Sequence, residues 1–334
     1  MTRMELRAAR LLLAALGLGG ASALANDSTA ALTTGGLVLL ADADIEMRSE
    51  DLSISRERIE ARYRFFNRAA VDRTVTVAFP LPELDYRESS DISVPDGDAD
   101  NFLKFRTLVE GREVVAQIEQ KAFLGGREVT QRLQALGVPL QPRSRAAAAA
   151  LDALPKEVER LLLKEKLVRP DDYDQGKGME HHVAPEWSLK TTYYWEQTFP
   201  AGREIAVEHA YAPSVGGSVQ TGVGAKSSTA AETKDYQTRF CPDKSFIAGV
   251  AALTKKNGGA PPPEFRIAYV LKTGANWAGP IGDFRLTVDK GDAAALVSFC
   301  ESGVVKTGPT RFEVHKTDFT PTRDLDILIV DAPK

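Results

Sequence analysis

Cysteine is almost missing from this chain: Cys241 and Cys300 are the only two in 334 residues. They have neither C-x-x-C spacing nor a histidine close by, which argues against thiols held for metal or redox work. Catalytic signatures are missing too. There is no G-x-S-x-G nucleophile turn and no H-E-x-x-H helix motif, and the glycine-rich stretches lack the Lys-Ser/Thr ending of a phosphate loop. Long apolar runs are absent as well. Leu11–Leu18 is too short to cross a bilayer as a helix, and no other stretch approaches the required length. Nor is there a surplus of positive charge, since 42 Lys and Arg face 46 Asp and Glu for a formal charge of −4. A nucleic-acid surface needs a basic face, and anionic lipid needs a polybasic patch, so neither partner is expected.

What is present begins at the start. Arg3, Arg7 and Arg10 precede the apolar run, and Ala23-Leu24-Ala25 gives a small-x-small site before Asn26. Basic start, short apolar middle and A-x-A end are the parts of a cleaved secretory signal peptide over residues 1–25. The mature chain is then expected to begin at Asn26 with 309 residues. Losing three arginines and one glutamate takes its charge from −4 to −6. The expected location is the periplasm. Two cysteines in an exported protein most often pair. A Cys241–Cys300 bond closes a loop of about sixty residues, worth about 4 kcal/mol on the chain-entropy model.

Hydrophobic residues make up 43% and charged residues 26%, an ordinary globular balance, and the length suggests about two domains. Residues 36–125 read as strands. Ile59, Ala61, Tyr63 and Phe65 alternate with Glu60, Arg62 and Arg64, the period of a half-buried strand. Ile45 and Met47, then Leu52 and Ile54, also alternate, broken by Glu50-Asp51. Hairpin sequence follows, with Phe102–Arg106 and Glu113–Ile118 as strands around Glu110-Gly111. Between about 127 and 168 the pattern turns helical, with Leu133 and Leu136, the run Ala146–Ala150, then Val158, Leu161 and Leu162. Strands resume at Leu189–Phe199. Gly, Ser, Thr and Ala dominate 216–235, the composition of a flexible loop or linker. Beyond it, Asp243 is placed to cap a helix carrying Phe246, Val250 and Leu253, closed by Lys255-Lys256 and Asn257-Gly258.

Each candidate site has a plainer reading beside it. Glu180-His181-His182, with Glu186 nearby, offers imidazole and carboxylate ligands for zinc, but adjacent histidines on a strand point apart, and a solvated polar loop is favoured. Asp96–Asn101 is rich in carboxylates, but a calcium loop counted from Asp96 puts Asn101 and Thr107 where glycine and a bidentate acid belong. His209 and His315 lie in apparent strands, where a half-buried or exposed histidine is commoner than a catalytic one. Trp187, Tyr193, Tyr194 and Trp195 read first as core packing. Trp277 and Pro280, in a Gly- and Pro-containing turn, are a possible interaction surface, because such a turn can present an indole to solvent.

Several segments together carry a family resemblance. They are Asn26-Asp27-Ser28-Thr29-Ala30, Gly35-Gly36-Leu37, Ser49-Glu50-Asp51-Leu52 with Ile54-Ser55, Phe79-Pro80-Leu81-Pro82, and Trp277-Ala278-Gly279-Pro280-Ile281-Gly282-Asp283-Phe284. Over most of the mature chain this resembles uncharacterised exported proteins of Gram-negative bacteria, grouped as a domain-of-unknown-function family. The resemblance implies an exported β-rich protein with no assigned activity, and it brings no catalytic residues with it. Tyr63–Pro82 is also similar to the vault/inter-alpha-trypsin type of β-sandwich, in fold only.

These readings predict a mainly β protein, α+β overall. An antiparallel β-sandwich occupies 26–215 with the helical insertion about 127–168. A flexible segment at 216–235 leads to a second β-rich part, 236–334, with one helix and the Cys241–Cys300 disulfide. The expected function is a non-catalytic binding or interaction module of the cell envelope. Its partner is expected to be an envelope protein, glycan or small ligand, and no cofactor is expected. The alternative is a metal-dependent exported hydrolase using the Glu180-His181-His182 region.

Overall fold

The computed structural model describes residues 26–34, 36–87, 91–174, 176, 178–225 and 227–333. The signal peptide expected at 1–25 lies outside the described residues. The period-two pattern of Ile59–Asn67 buries Ile59, Ala61, Tyr63 and Phe65 and leaves Arg62 and Arg64 in solvent. That strand pairs antiparallel with Ile45–Ile54 on one side and Glu204–Tyr211 on the other. The three form the middle of an eight-stranded sheet, which continues through Arg106–Val109 to Arg112–Val114 at one edge. Toward the other edge it runs through Ile281–Asp289 and Arg311–Phe319 to Val305–Lys306.

One pairing in this sheet is parallel. Ile281–Asp289 runs beside Ile45–Ile54, with Leu286 opposite Leu52. Parallel neighbours need a long crossover between them, and here most of the chain serves as that connection. A six-stranded sheet holds Gln117–Leu124, Ser188–Phe199, Arg73–Pro80 and the hairpin Ser28–Thr33/Gly36–Leu40, with Arg127–Glu128 at its other edge. A five-stranded sheet holds Leu296–Phe299, Leu325–Val330, Glu264–Tyr269, Val215–Ser218 and Ile92–Ser93. The fold is mainly β, as the alternation predicts. All three sheets share one core, in which Leu52, Phe284 and Leu286 meet Phe79, Tyr193 and Phe199 from the six-stranded sheet and Ile267, Tyr269, Ile327 and Ile329 from the five-stranded one.

Leu325–Val330 is apolar on both faces for a reason visible in its neighbours. Ile327 and Ile329 enter the common core, while Leu328 and Val330 pack under Phe240, Phe246 and Val250 of two helices, Ala230–Phe240 and Lys244–Lys256. The second helix is capped as its sequence indicates, with the Asp243 carboxylate accepting from the Phe246 amide at 2.7 Å. The first helix falls partly within 216–235, the stretch read as a flexible segment, and Val215–Ser218 extends a strand into the same stretch. Small polar composition concealed a capping box there: Thr229 accepts from the Glu232 amide at 3.2 Å, and the Glu232 carboxylate accepts from the Thr229 amide at 2.7 Å. Cys241 ends that helix in the left-handed region at φ 49° and is bonded to Cys300, just past Leu296–Phe299.

Three short helices, Thr130–Gln134, Arg145–Asp152 and Lys156–Lys164, form the insertion. Leu133, Leu151 and Leu162 close a small core with Val183 and Trp187. Phe102–Phe105, expected within a strand, is not extended ladder. Lys104 turns through φ 55°, and Phe102, Leu103 and Phe105 are buried all the same.

Candidate functional site

A connected set of buried polar groups lies inside the common core. His209 shares the inward face of Glu204–Tyr211 with Ile205 and Val207, and a buried imidazole needs partners on both nitrogens. It has them. Nε2 lies 3.0 Å from each oxygen of Asp27, and Nδ1 lies 3.0 Å from Thr107 Oγ1. The rings of Tyr63, Phe79, Phe105 and Trp195 surround the imidazole. Acid, imidazole and hydroxyl in a row is the order of groups in a nucleophilic triad. Here the Asp27 and His209 side chains are 0% exposed and Thr107 is buried as well, so the row acts as a tie across the core.

Glu50 belongs to the same interior. A bulge between Met47 and Ser49 shifts the alternation of Ile45–Ile54 by one residue, so Ile45 and Met47 face inward before it and Glu50, Leu52 and Ile54 after it. Glu50 Oε2 accepts from Asn26 Nδ2 at 2.9 Å, and Tyr269 donates to Oε1 across 3.4 Å. The Tyr269 and Tyr63 hydroxyls are themselves 2.9 Å apart. Burial pushes the Glu50 carboxyl up to about 8, and it drives both tyrosine hydroxyls well above their ordinary value. The backbone of Asn26 and Asp27 is gripped from elsewhere in the fold. Thr273 Oγ1 donates to the Asn26 carbonyl and Trp277 Nε1 to the Asp27 carbonyl, both at 2.6 Å.

That bond corrects the reading of Trp277 as an interaction surface. Its indole is 3% exposed and packs on Phe65 and Phe199, because its N–H is needed by a buried carbonyl. Pro280 alone of that pair is exposed. Three of the four clustered aromatics are core, with Tyr193 stacked on Phe105 at 4.2 Å, Trp187 donating to the Leu140 carbonyl at 2.8 Å and Trp195 buried, whereas Tyr194 falls on the other face of its strand and is half-buried. In the acidic loop, Asp98 binds the backbone amide and guanidinium of Arg145. His315 pairs with Asp283 at 2.9 Å on the exposed face.

His181 and His182 sit where the insertion meets its own return strands. His181 Nε2 is 2.9 Å from Glu159 and its Nδ1 2.7 Å from Asp172. His182 Nδ1 is 3.0 Å from Asp152, and Glu180 lies 3.5 Å from its Nε2. Hydrogen bonds to Glu159 and to Asp152 raise the two imidazoles above their usual pKa. A carboxylate stands within 3.5 Å of every ring nitrogen of the two histidines, so each imidazole is held by neighbours from the loop and the helices. Glu186 pairs with Arg169 at 3.0 Å instead of joining the histidines. Chemically this cluster is a latch that pins the loop to the helices.

An open concavity lies elsewhere, between the insertion and the six-stranded sheet. It encloses about 790 Å³ and is lined by Glu119, Lys121, Arg127, Glu128, Arg132 and Glu165 among others. Four of these side chains are fixed in two ion pairs within the wall, Lys121 with Glu119 at 3.6 Å and Arg132 with Glu165 at 3.2 Å. Glu119 also accepts from the Leu37 amide at 2.8 Å, which brings the tip of the first hairpin to the rim. Sequence reading missed this groove, because its walls come from separate, individually unremarkable polar stretches.

No curated protein matches this chain. Among solved structures it is similar to a candidate nutrient-binding protein from Legionella pneumophila, at 17% identity and a TM-score of 0.44, over 92% of this chain and 70% of that one. A family model described as a domain of unknown function, DUF4424, matches residues 25–328, and the chain belongs to that family.

Proposed function

We propose that this protein is an exported, non-catalytic binding module of the cell envelope, with the groove beneath the helical insertion as its ligand site. One observation carries the reading: a concavity of about 790 Å³ whose walls hold acids and bases at fixed positions. That volume is in the range of small-molecule sites. Charges of both signs along one wall suit a solute that itself carries both signs, such as an amino acid or short peptide. Export is supported by the leader pattern of residues 1–25 and by a disulfide, which persists in oxidising compartments.

The test is thermal unfolding of the mature protein against millimolar amino acids, di- and tripeptides, and neutral sugars. Zwitterions are expected to raise the midpoint. Replacing Arg127→Ala together with Glu128→Ala is expected to abolish the rise. A flat response to every zwitterion overturns the ligand assignment. Recovery of the uncut chain from the cytosol overturns the export reading.

A further inference from the structure

We infer that removal of the leader completes the core, because the α-ammonium it creates on Asn26 forms a buried ion pair with Glu50. The inference rests on the export reading, since it needs the Ala25–Asn26 bond to be the one cut. Hydrolysis of that bond consumes one water, leaving a carboxylate on Ala25 and an ammonium on Asn26.

The geometry argues for it in three steps. Asn26 is not a surface residue waiting to be trimmed. Its side-chain amide donates to Glu50 Oε2 at 2.9 Å, and its carbonyl accepts from Thr273 at 2.6 Å. Its Nδ2 stands so close to Gly274 that a Cβ there would come within 2.7 Å of it. The α-nitrogen, a few bonds from that amide, is therefore confined to the neighbourhood of the Glu50 carboxylate.

Second, Glu50 lacks the partner that a buried carboxylate requires. A buried charge is tolerated when it is paired with an opposite one. Around Glu50 stand the Asn26 amide, the Asp27 carboxylate and the Tyr269 and Tyr63 hydroxyls. His209 is one step removed, held by Asp27. Among the described residues no Lys, Arg or His lies within ion-pair distance of Glu50. Its Oε1 has only the long contact to Tyr269, so it has acceptor capacity to spare.

Third, the nearest other carboxylate is occupied. Asp27 gives both oxygens to His209, which leaves Glu50 as the open acceptor for a new cation. With an amide at that position, Glu50 has to be protonated or uncompensated, and its carboxyl is held up near 8. With an ammonium there, it ionises inside a pair.

The sign of the pH effect follows. In a chain extended upstream of Asn26, a Glu50 raised from 4.5 to about 8 binds a proton in the folded state that the unfolded state has already lost. Stability of that form falls as pH rises across the window between those values. In the form beginning at Asn26 the fall is absent over the same window.

The experiment uses the full mature chain in two versions, one beginning at Asn26 and one carrying a short neutral extension before it. Unfolding by urea is measured at pH 5.5 and 7.5. The ratio of the two unfolding constants is expected to widen by about tenfold to a hundredfold between those pH values, as one proton per molecule dictates. Glu50→Gln is expected to remove that widening. A ratio that is the same at both pH values overturns the inference, because bulk alone carries no pH dependence. If the Gln variant does not fold, the two unsubstituted versions still decide. N-terminal sequencing of the exported protein tests the underlying reading separately. Asn26 as first residue supports it, a cleaved start elsewhere overturns the inference alone, and an uncut chain overturns both.

Discussion

At the scale of single residues, the fold depends on polar groups placed where an apolar residue would serve packing better. His209 and Asp27 are the clearest pair, both fully buried. Replacing His209→Leu leaves a buried carboxylate without its partner, and the loss is expected to be about 3–5 kcal/mol in urea unfolding. Adding Asp27→Leu is expected to recover part of that loss, and the coupling is read from the double-mutant cycle. The inward direction of His209 was legible, since it keeps step with Ile205 and Val207. Its partner was not, because Asp27 lies far away in sequence and no local pattern joins them. Glu50 shows the same limit. The break in alternation at Glu50-Asp51 was visible, but that it marks a bulge, and turns Glu50 inward, needed the neighbouring strand. Trp277 misled because Gly and Pro around it signal a turn and say nothing of which way the indole points.

At the scale of elements, local chemistry predicts local behaviour. Thr229→Ala removes one half of a capping box and is expected to cost about 1 kcal/mol. Faster amide exchange in the first turn of Ala230–Phe240 is the measurement that checks it. The latch at His181 and His182 makes a second prediction. Both imidazoles are raised above 6.5, so what they contribute is complete below that value and is lost as pH climbs through their folded values. Exchange of amides in Lys156–Lys164 is therefore expected to quicken as pH rises through those folded values, after correction for intrinsic rates. Replacing both His181→Gln and His182→Gln is expected to remove that dependence. Helices with an apolar face and a clear cap, such as Lys244–Lys256, were readable in the sequence. Ala230–Phe240 was not, because it buries little besides Phe240 and its cap lies in polar sequence.

At the scale of the whole molecule, the β character was legible because its period is local, whereas the order of strands was not. Leu286 beside Leu52 is a contact no alternation announces. The Cys241–Cys300 bond fastens a helix to the end of a strand in the five-stranded sheet. Replacing Cys241→Ser and Cys300→Ser together is expected to cost about 4 kcal/mol on the loop-entropy model. Comparison of the two proteins by urea unfolding under non-reducing conditions checks it.

The parallel seam between Ile45–Ile54 and Ile281–Asp289 also sets a clock. On a ribosome the earlier strand emerges roughly 230 residues before the later one, a wait on the order of ten to fifty seconds at ordinary elongation speeds. For that interval the backbone edge of Ile45–Ile54 that will meet Ile281–Asp289 has no partner strand. Late closure of the seam thus makes the middle of the eight-stranded sheet wait on sequence near the far end of the chain.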